Sequence, residues 1–143
     1  MNTVELTEAR PLAVYGETVI HLPLGLLGFE RIKKYVLLAD PGEAPFQWLQ
    51  VLDDPGLAFL VVSPFEVRPD YQPEISPEDV EFLELVSPAD ALLLNIVTLR
   101  TNDRAPVNLK GPIVANRRTL RARQVVLANA ADFALQHPLP AAE

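Results

Sequence analysis

Residues 35–62 read YVLLADPGEAPFQWLQVLDDPGLAFLVV, and this stretch decides the fold. It contains three runs of aliphatic and aromatic side chains, which are the residues that favour β-strands. A DPG tripeptide separates the first two runs, and a DDPG tetrapeptide separates the last two. Both are turn sequences, because proline and glycine supply backbone angles that a strand does not. The stretch therefore predicts a three-stranded antiparallel meander, with strands at 35–39, 46–52 and 57–62.

Prolines divide the rest of the chain into similar short pieces. The 14 prolines are spread along the 143 residues, and a proline cannot donate to a sheet ladder. Many short strands with turns between them are typical of a small barrel or sandwich. We expect a single domain over 1–143 with an all-β, mainly antiparallel, barrel-like fold. Further strands are predicted at 18–22, 92–101, 107–109, 113–115 and 124–127, with weaker ones at 4–6 and 13–15.

One short helix is predicted near residues 77–86. Ser76 is a good N-cap residue, and Pro77 suits the first helical position. Glu78 and Asp79 follow in the first turn, where the helix dipole favours carboxylates. Apolar positions then recur at helical spacing, and we expect them to pack on the barrel. They are Val80, Phe82, Leu83 and Val86.

Composition and charge narrow the functional classes. The chain has no cysteine, which excludes disulfides, thiolate nucleophiles and cysteine-based metal sites. No signal peptide or membrane span is recognisable, so we expect a cytoplasmic protein. The net charge is −7, but residues 1–99 hold 5 Lys and Arg against 16 Asp and Glu, whereas residues 100–143 hold 7 against 3. The acidic part should repel nucleic acid and attract basic proteins.

Catalytic patterns are not recognisable. The two histidines, His21 and His137, lack the convergent ligands of a zinc site and the neighbours of a catalytic triad. The carboxylate pairs Asp53/Asp54 and Glu78/Asp79 lie in a turn and at a helix start, where carboxylates have structural roles. We therefore predict that the protein is not an enzyme, with no cofactor and no metal.

The GLLG sequence at residues 25–28 is not a phosphate-binding loop, because no Lys-Ser or Lys-Thr pair follows it. Its two glycines predict a turn with positive φ angles. We expect Leu26, Leu27 and Phe29 to anchor this loop in the core.

The sequence SPFEVRPDYQP at residues 63–73 is the best candidate for a protein-binding surface. Its prolines stiffen the loop, and a stiff loop loses little entropy on association. Glu66, Asp70 and Tyr71 are the predicted contact residues, with Asp53 and Asp54 as weaker candidates. Tyr71 could instead plug the end of the barrel, and we expect Phe65 to be buried there.

A basic run offers an alternative function. Arg117, Arg118, Arg121 and Arg123 could contact phosphates in a direct RNA-binding domain. However, no aromatic side chain lies among them to stack on bases, and most of the chain is acidic. A hairpin tip with a solvated basic rim is the simpler interpretation.

Several of these motifs together resemble the flagellar assembly factor FliW family. The motifs are GLLGFE at 25–30 with KYVLL at 34–38, DPGLAF at 54–59 with SPF at 63–65 and DY at 70–71, and NLKGPIVAN at 108–116 with RQVVL at 123–127. The similarity extends from about residue 14 to residue 139. Two positions depart from the family pattern. Leu27 stands where proline is common, and Ala122 stands where a glycine often shapes the hairpin turn.

The resemblance implies a compact β-barrel-like fold and a regulatory function. It implies two protein partners, the RNA-binding translational repressor CsrA and flagellin. Binding to CsrA would relieve its repression of flagellin mRNA, and free flagellin would compete for the same factor. An acidic protein suits this function, because a basic RNA-binding partner is attracted to it and RNA phosphates are repelled by it.

Overall fold

The computed structural model describes residues 18–39, 41–98 and 106–134, and the structural statements below concern those residues. Seven strands form one sheet in which each strand pairs with the next one along the chain. All six pairings are antiparallel. The strands are β1 (Thr18–His21), β2 (Lys34–Ala39), β3 (Phe46–Val51), β4 (Ala58–Val62), β5 (Ala91–Ile96), β6 (Ile113–Asn116) and β7 (Ala122–Gln124).

The sheet curls until its first and last strands meet. The backbone N–H of His21 donates to the carbonyl of Leu120 at 2.9 Å, and His21 forms a parallel bridge with Arg121. This contact has to be parallel, because an odd number of alternating strands leaves the first and last running in the same direction. The fold is therefore a nearly closed antiparallel barrel, as the sequence predicted. We call the contact between β1 and β7 the seam.

The predicted meander of β2, β3 and β4 is confirmed, with strand ends that differ by one residue. The last strand was predicted at 124–127, but it spans Ala122–Gln124, and the residues that follow it pack outside the barrel. Residues 107–109 form no strand, although Val107 makes an isolated bridge to Val97. The weak strands predicted at 4–6 and 13–15, and the end of the one at 92–101, lie outside the described residues.

The described residues form three hydrophobic clusters on the two faces of the sheet. The inner cluster fills the barrel, and alternate residues of β1 to β7 contribute to it, among them Ile20, Tyr35, Leu49 and Leu94. A second cluster covers the outer face of β5 and β6, where Leu93 and Val114 pack under the long loops. A third, smaller cluster lies on the outer face of β2 and β3, and its buried residues are Val36, Leu38 and Trp48. The loop between β4 and β5 and the segment after β7 are therefore part of the packed structure.

The long loop between β4 and β5 contains two short helices, α1 (Pro64–Val67) and α2 (Pro77–Phe82). The second confirms the predicted helix start, because the Ser76 side chain accepts a hydrogen bond from the Asp79 N–H. It is shorter than predicted and ends before Glu84, which has a φ of 55°. The expected burial of Val86 is wrong, since this side chain is 83% exposed beyond the helix.

The loop between β1 and β2 closes one end of the barrel. Gly25 has a φ of +68°, and a Cβ there would lie 2.5 Å from the Cα of Glu30, so no other residue fits without displacing the backbone. Leu26 is buried as expected, but Leu27 is 83% exposed, which contradicts its predicted anchoring role. Phe29 is 37% exposed, so its predicted place in the core is also wrong, although its ring packs on the Phe59 ring.

Within the described part of the chain, no helix is long and apolar enough to cross a membrane.

Candidate protein-binding surfaces

The first candidate surface is the acidic loop, which we define as residues 63–74. It follows β4 and includes α1. Glu66 and Asp70 are both exposed, and Asp70 pairs with Arg68 at 3.1 Å while its own side chain remains 78% exposed. An exposed pair of this kind contributes little to stability. Both carboxylates are therefore available to a partner.

Tyr71 is buried and anchors the acidic loop to the rest of the protein. Only 3% of the residue is exposed, and its hydroxyl donates to the carbonyl of Leu109 at 2.7 Å. Its ring packs on Phe133 at a centroid distance of 4.7 Å and on Phe65 at 5.9 Å. Burial raises the pKa of the Tyr71 phenol. The sequence left open whether Tyr71 is an exposed contact residue or a buried one, and in the structure it is buried.

Phe65 takes the opposite position to the one expected. It is 46% exposed, whereas Pro64 and Val67 on either side of it are buried. In one turn of helix these two residues face the sheet, which leaves Phe65 on the outer side. The prediction that Phe65 is buried is therefore wrong. The acidic loop presents an aromatic ring beside its carboxylates, and Phe65 rather than Tyr71 supplies it.

The acidic loop is braced against the segment that follows β7. The Asn129 side chain accepts a hydrogen bond from the Glu74 N–H and donates one to the Gln72 carbonyl, both at 2.9 Å. The N–H of Ala128 donates to the carbonyl of Glu74. A recess of about 430 Å³ lies between the two segments, and its lining includes Asp70, Glu74 and Asp132. The loop is consequently a fixed and mainly acidic surface.

The weaker candidates, Asp53 and Asp54, lie elsewhere. They are exposed in the turn between β3 and β4. Glu66 follows the other end of β4, so the two acidic groups are separated by the length of that strand, about 16 Å. The structure does not bring the five predicted contact residues together into one rim.

Three of the four arginines of the basic run make contacts within the molecule. The Cζ atoms of Arg121 and Arg123 lie 4.4 and 5.1 Å from the centroid of the Phe82 ring. Arg123 also forms an ion pair with the buried Asp79 at 2.9 Å. Arg118 pairs with Asp90 at 3.5 Å. These arginines therefore attach the β6–β7 hairpin to the loop between β4 and β5.

The turn of this hairpin depends on Asn116, a residue that no sequence pattern marks as functional. Asn116 is fully buried, and its side-chain oxygen accepts from the N–H groups of Arg118 and Thr119 at 2.8 and 3.2 Å. The positive φ of the turn, 63°, is at Leu120. Ala122, at the position where the family often has glycine, has its side chain fully buried in the barrel.

The remaining sequence candidates have no catalytic arrangement around them. His21 is exposed on β1, and His137 lies outside the described residues. Asp79 of the Glu78/Asp79 pair accepts from Ser76 and from Arg123, which is a structural role. Across the described ranges, no three His, Asp or Glu side chains are grouped as ligands of a metal ion.

Comparison with known proteins identifies the family. A family model described as "FliW protein" matches residues 3–139. The chain belongs to the FliW family. The flagellar assembly factor FliW of Syntrophus aciditrophicus is 43% identical over 125 residues, which cover 87% of this chain and 79% of that protein. The FliW of Clostridioides difficile is 38% identical, with coverage of 84% and 92%.

The FliW fold is shared as well. A crystal structure of the flagellar assembly factor FliW superposes with a TM-score of 0.76 at 29% sequence identity, and the match covers 86% of each chain. The family resemblance of the sequence motifs and the predicted barrel-like fold are both confirmed. FliW proteins are named for a role in flagellar assembly, and membership of the family assigns this chain to that process.

Proposed function

We propose that this FliW-family chain is a non-enzymatic cytoplasmic regulator that binds CsrA and flagellin. By binding CsrA it relieves the repression of flagellin mRNA, and flagellin competes with CsrA for it. The family assignment supports a role in flagellar assembly. The observation that carries the protein-binding part is the braced acidic loop with its two exposed carboxylates, Glu66 and Asp70.

The acidic loop suits a basic partner that carries some apolar surface. Glu66 and Asp70 would steer a cationic surface into contact, and the exposed Phe65 ring would give the contact an apolar centre. Tyr71 would contribute indirectly, by holding the loop through its hydroxyl and its two ring contacts. Because the loop is already ordered, its association costs little conformational entropy. Asp53 and Asp54 lie at the other end of β4 and are outside this contact.

A titration of the chain with CsrA in a calorimeter tests the proposal. We expect a saturable complex at micromolar protein and release of RNA from CsrA. In the variant with Glu66→Lys and Asp70→Lys, the association rate at low salt should fall by about tenfold, because electrostatic steering is lost. The matched control carries Asp53→Lys and Asp54→Lys, which makes the same charge change in the β3–β4 turn. No heat with both partners folded, or an equal effect of the two variants, would contradict the proposal.

Direct RNA binding by the Arg117–Arg123 run has less support from the geometry. Arg121 and Arg123 lie over the Phe82 ring, and Arg118 and Arg123 have carboxylate partners. A gel-shift series across salt concentrations separates the two functions. A shift whose affinity falls steeply with salt would favour the RNA-binding alternative.

A further inference from the structure

A second surface, the apolar cleft, lies at the end of the seam and is separate from the acidic loop. We define it by four of its apolar wall residues, Leu24 and Leu27 from the β1–β2 loop and Val125 and Val126 from the segment after β7. Its volume is about 440 Å³. Three of these side chains are strongly exposed for aliphatic residues, Leu24 at 47%, Leu27 at 83% and Val126 at 75%.

The cleft is a fixed feature of the backbone. The Leu27 N–H donates to the side-chain oxygen of Gln124 on β7 at 2.9 Å, so the two walls are hydrogen-bonded to each other. The Gly28 N–H donates to the Glu30 carboxylate at 3.0 Å, which holds the next part of the loop and lowers the pKa of that carboxyl. Leu27 is thus held outward beside a buried Leu26. A preformed apolar concavity of this size is a suitable site for a partner's side chains.

Positive charge borders the cleft. Lys34 on β2 and Arg121, the residue before β7, are the two cationic residues of a row in which each is paired with His21 of β1, and all three side chains are exposed on the same outer face. Lys110 and Arg123 continue this row into the lining of the cleft. The described ranges contain nine Lys and Arg residues. Eight of them lie in the β1–β2 loop, at the start of β2 or within residues 110–123, and the ninth is Arg68.

Few carboxylates lie in the cleft itself. Glu30 is the single carboxylate among the described residues that line the cleft. Asp79 is paired with Arg123 and neutralises that member of the row, and α2, whose Phe82 ring lies under Arg121, carries the exposed Glu78 and Glu81 on its other positions. The strip of positive charge beside the apolar cleft is therefore formed by Lys34, Lys110 and Arg121, in a chain whose net charge is −7.

We propose that the apolar cleft binds a segment of a protein partner that carries both apolar and acidic side chains. The apolar side chains enter between Leu27 and Val126, and the acidic ones meet the row formed by Lys34, His21 and Arg121. Charge complementarity favours this partner over a basic one. RNA is disfavoured because the cleft lining has no aromatic ring for bases to stack on. The inference goes beyond the proposed function, since it concerns different residues and a partner of opposite charge.

Fluorescence anisotropy with two labelled model peptides tests this inference. Each peptide is an amphipathic sequence of about 18 residues, long enough to be helical when bound, with leucines on one face. One has glutamates on the other face, and its twin has lysines. Both peptides are titrated into the variant with Glu66→Gln and Asp70→Asn, because the acidic loop would otherwise attract the lysine twin. We expect the glutamate peptide to bind this variant at least about tenfold more tightly than the twin, a difference of about 1.4 kcal/mol. Binding should weaken as salt is added.

Substitutions in the cleft test whether the glutamate peptide binds there. Leu27→Glu and Val126→Glu should each weaken the glutamate peptide by about tenfold, because they place a repelling charge in the cleft. Val86→Glu is the matched control, since Val86 is 83% exposed outside the cleft and should leave binding unchanged. Amide chemical shifts of the unmodified protein give a second readout, in which Leu27 and Val126 should move on titration.

Several results would overturn the inference. They are equal or tighter binding of the lysine twin to the variant with Glu66→Gln and Asp70→Asn, an equal loss in the Val86→Glu control, and shifts induced by the glutamate peptide that are confined to the acidic loop. Binding of a single-stranded RNA oligonucleotide to the row, without binding of the glutamate peptide, would also overturn it. The outcome is independent of the CsrA titration, which depends on Glu66 and Asp70.

Discussion

Two buried tyrosines differ in what their hydroxyl groups contact. The Tyr71 hydroxyl donates to the Leu109 carbonyl and so ties the acidic loop to the segment after β5. The Tyr35 hydroxyl lies inside the barrel and has no hydrogen-bonding partner among the described residues. Burial raises the pKa of both phenols. A buried polar group without a partner costs free energy, so the two hydroxyls should have opposite effects on stability.

We predict that Tyr71→Phe lowers the free energy of unfolding by about 1–2 kcal/mol, because it leaves the Leu109 carbonyl unpaired. Tyr35→Phe should leave the free energy unchanged or raise it by up to about 1 kcal/mol, since it removes an unpaired polar group. Urea unfolding of both variants measures the difference. A loss of stability in Tyr35→Phe as large as that in Tyr71→Phe would contradict this account of the barrel interior.

At the scale of elements, the buried side-chain amide of Asn116 helps to hold the β6–β7 hairpin against the end of α2. Besides ordering the hairpin turn, the Asn116 side chain donates to the carbonyls of Leu83 and Glu84 at 2.9 and 3.1 Å. The ion pair of Arg123 with Asp79 and the two arginines over Phe82 join the same two elements. The basic run therefore attaches the hairpin to the helix.

We predict that Asn116→Ala lowers the free energy of unfolding by about 2–4 kcal/mol, because it removes a fully buried amide that serves both elements. Thr119→Ala in the same turn is the control and should cost less than about 1 kcal/mol, since this exposed side chain accepts one hydrogen bond, from the Arg121 N–H. Chemical denaturation of the two variants compares them. Equal losses would mean that Asn116 does not join the hairpin to the helix.

The turn before β5 should make stability depend on pH. The N–H groups of Val86 and Ser87 donate to the Asp90 carboxylate, which lowers the pKa of this carboxyl below its ordinary value of 3.8. The folded state thus favours the ionised form. Its contribution is present above pH 3.8, the ordinary value, and is lost as the pH falls through the lowered folded-state pKa.

We predict that Asp90→Asn is less stable than the unmodified protein at neutral pH and that the difference disappears on acidification. Asparagine keeps an acceptor oxygen for the two N–H groups but has no charge. Urea midpoints measured from about pH 6 to about pH 3 would follow the convergence. A difference that stays constant over this range would show that the Asp90 charge does not stabilise the fold.

At the scale of the whole molecule, the seam is the strand junction with the fewest pairings in the described part of the barrel. β3 has a complete ladder on each side, with β2 and with β4. Among the described residues, β1 and the start of β7 meet at one bridge, beside the loop that carries the apolar cleft. Regions with fewer buried contacts and fewer ladder hydrogen bonds open at a lower free energy than the rest of a protein.

We predict that the His21 amide, which donates across the seam, exchanges with solvent at least about tenfold faster than the amides of β3, because local opening suffices for it. Native-state hydrogen exchange followed by NMR measures both. Equal protection would indicate that the seam opens together with the whole barrel. That result would make the seam as stable as the meander.

The sequence specified the local structure closely where a single local rule governed it. The DDPG turn between two apolar runs was enough to predict the β3–β4 hairpin, and Ser76-Pro77 was enough to predict the start of α2. The motif pattern over most of the chain also gave the family. These features depend on neighbours in sequence, through turn geometry and capping.

The tertiary structure decided which face each side chain shows. It buried Tyr71 and exposed Phe65, and it directed Leu27 outward beside a buried Leu26. It also placed Phe82 under two arginines from a hairpin some 40 residues away in sequence. These outcomes depend on which strands meet when the sheet closes. Residues distant in sequence become neighbours only then, so no local pattern encodes the two candidate surfaces.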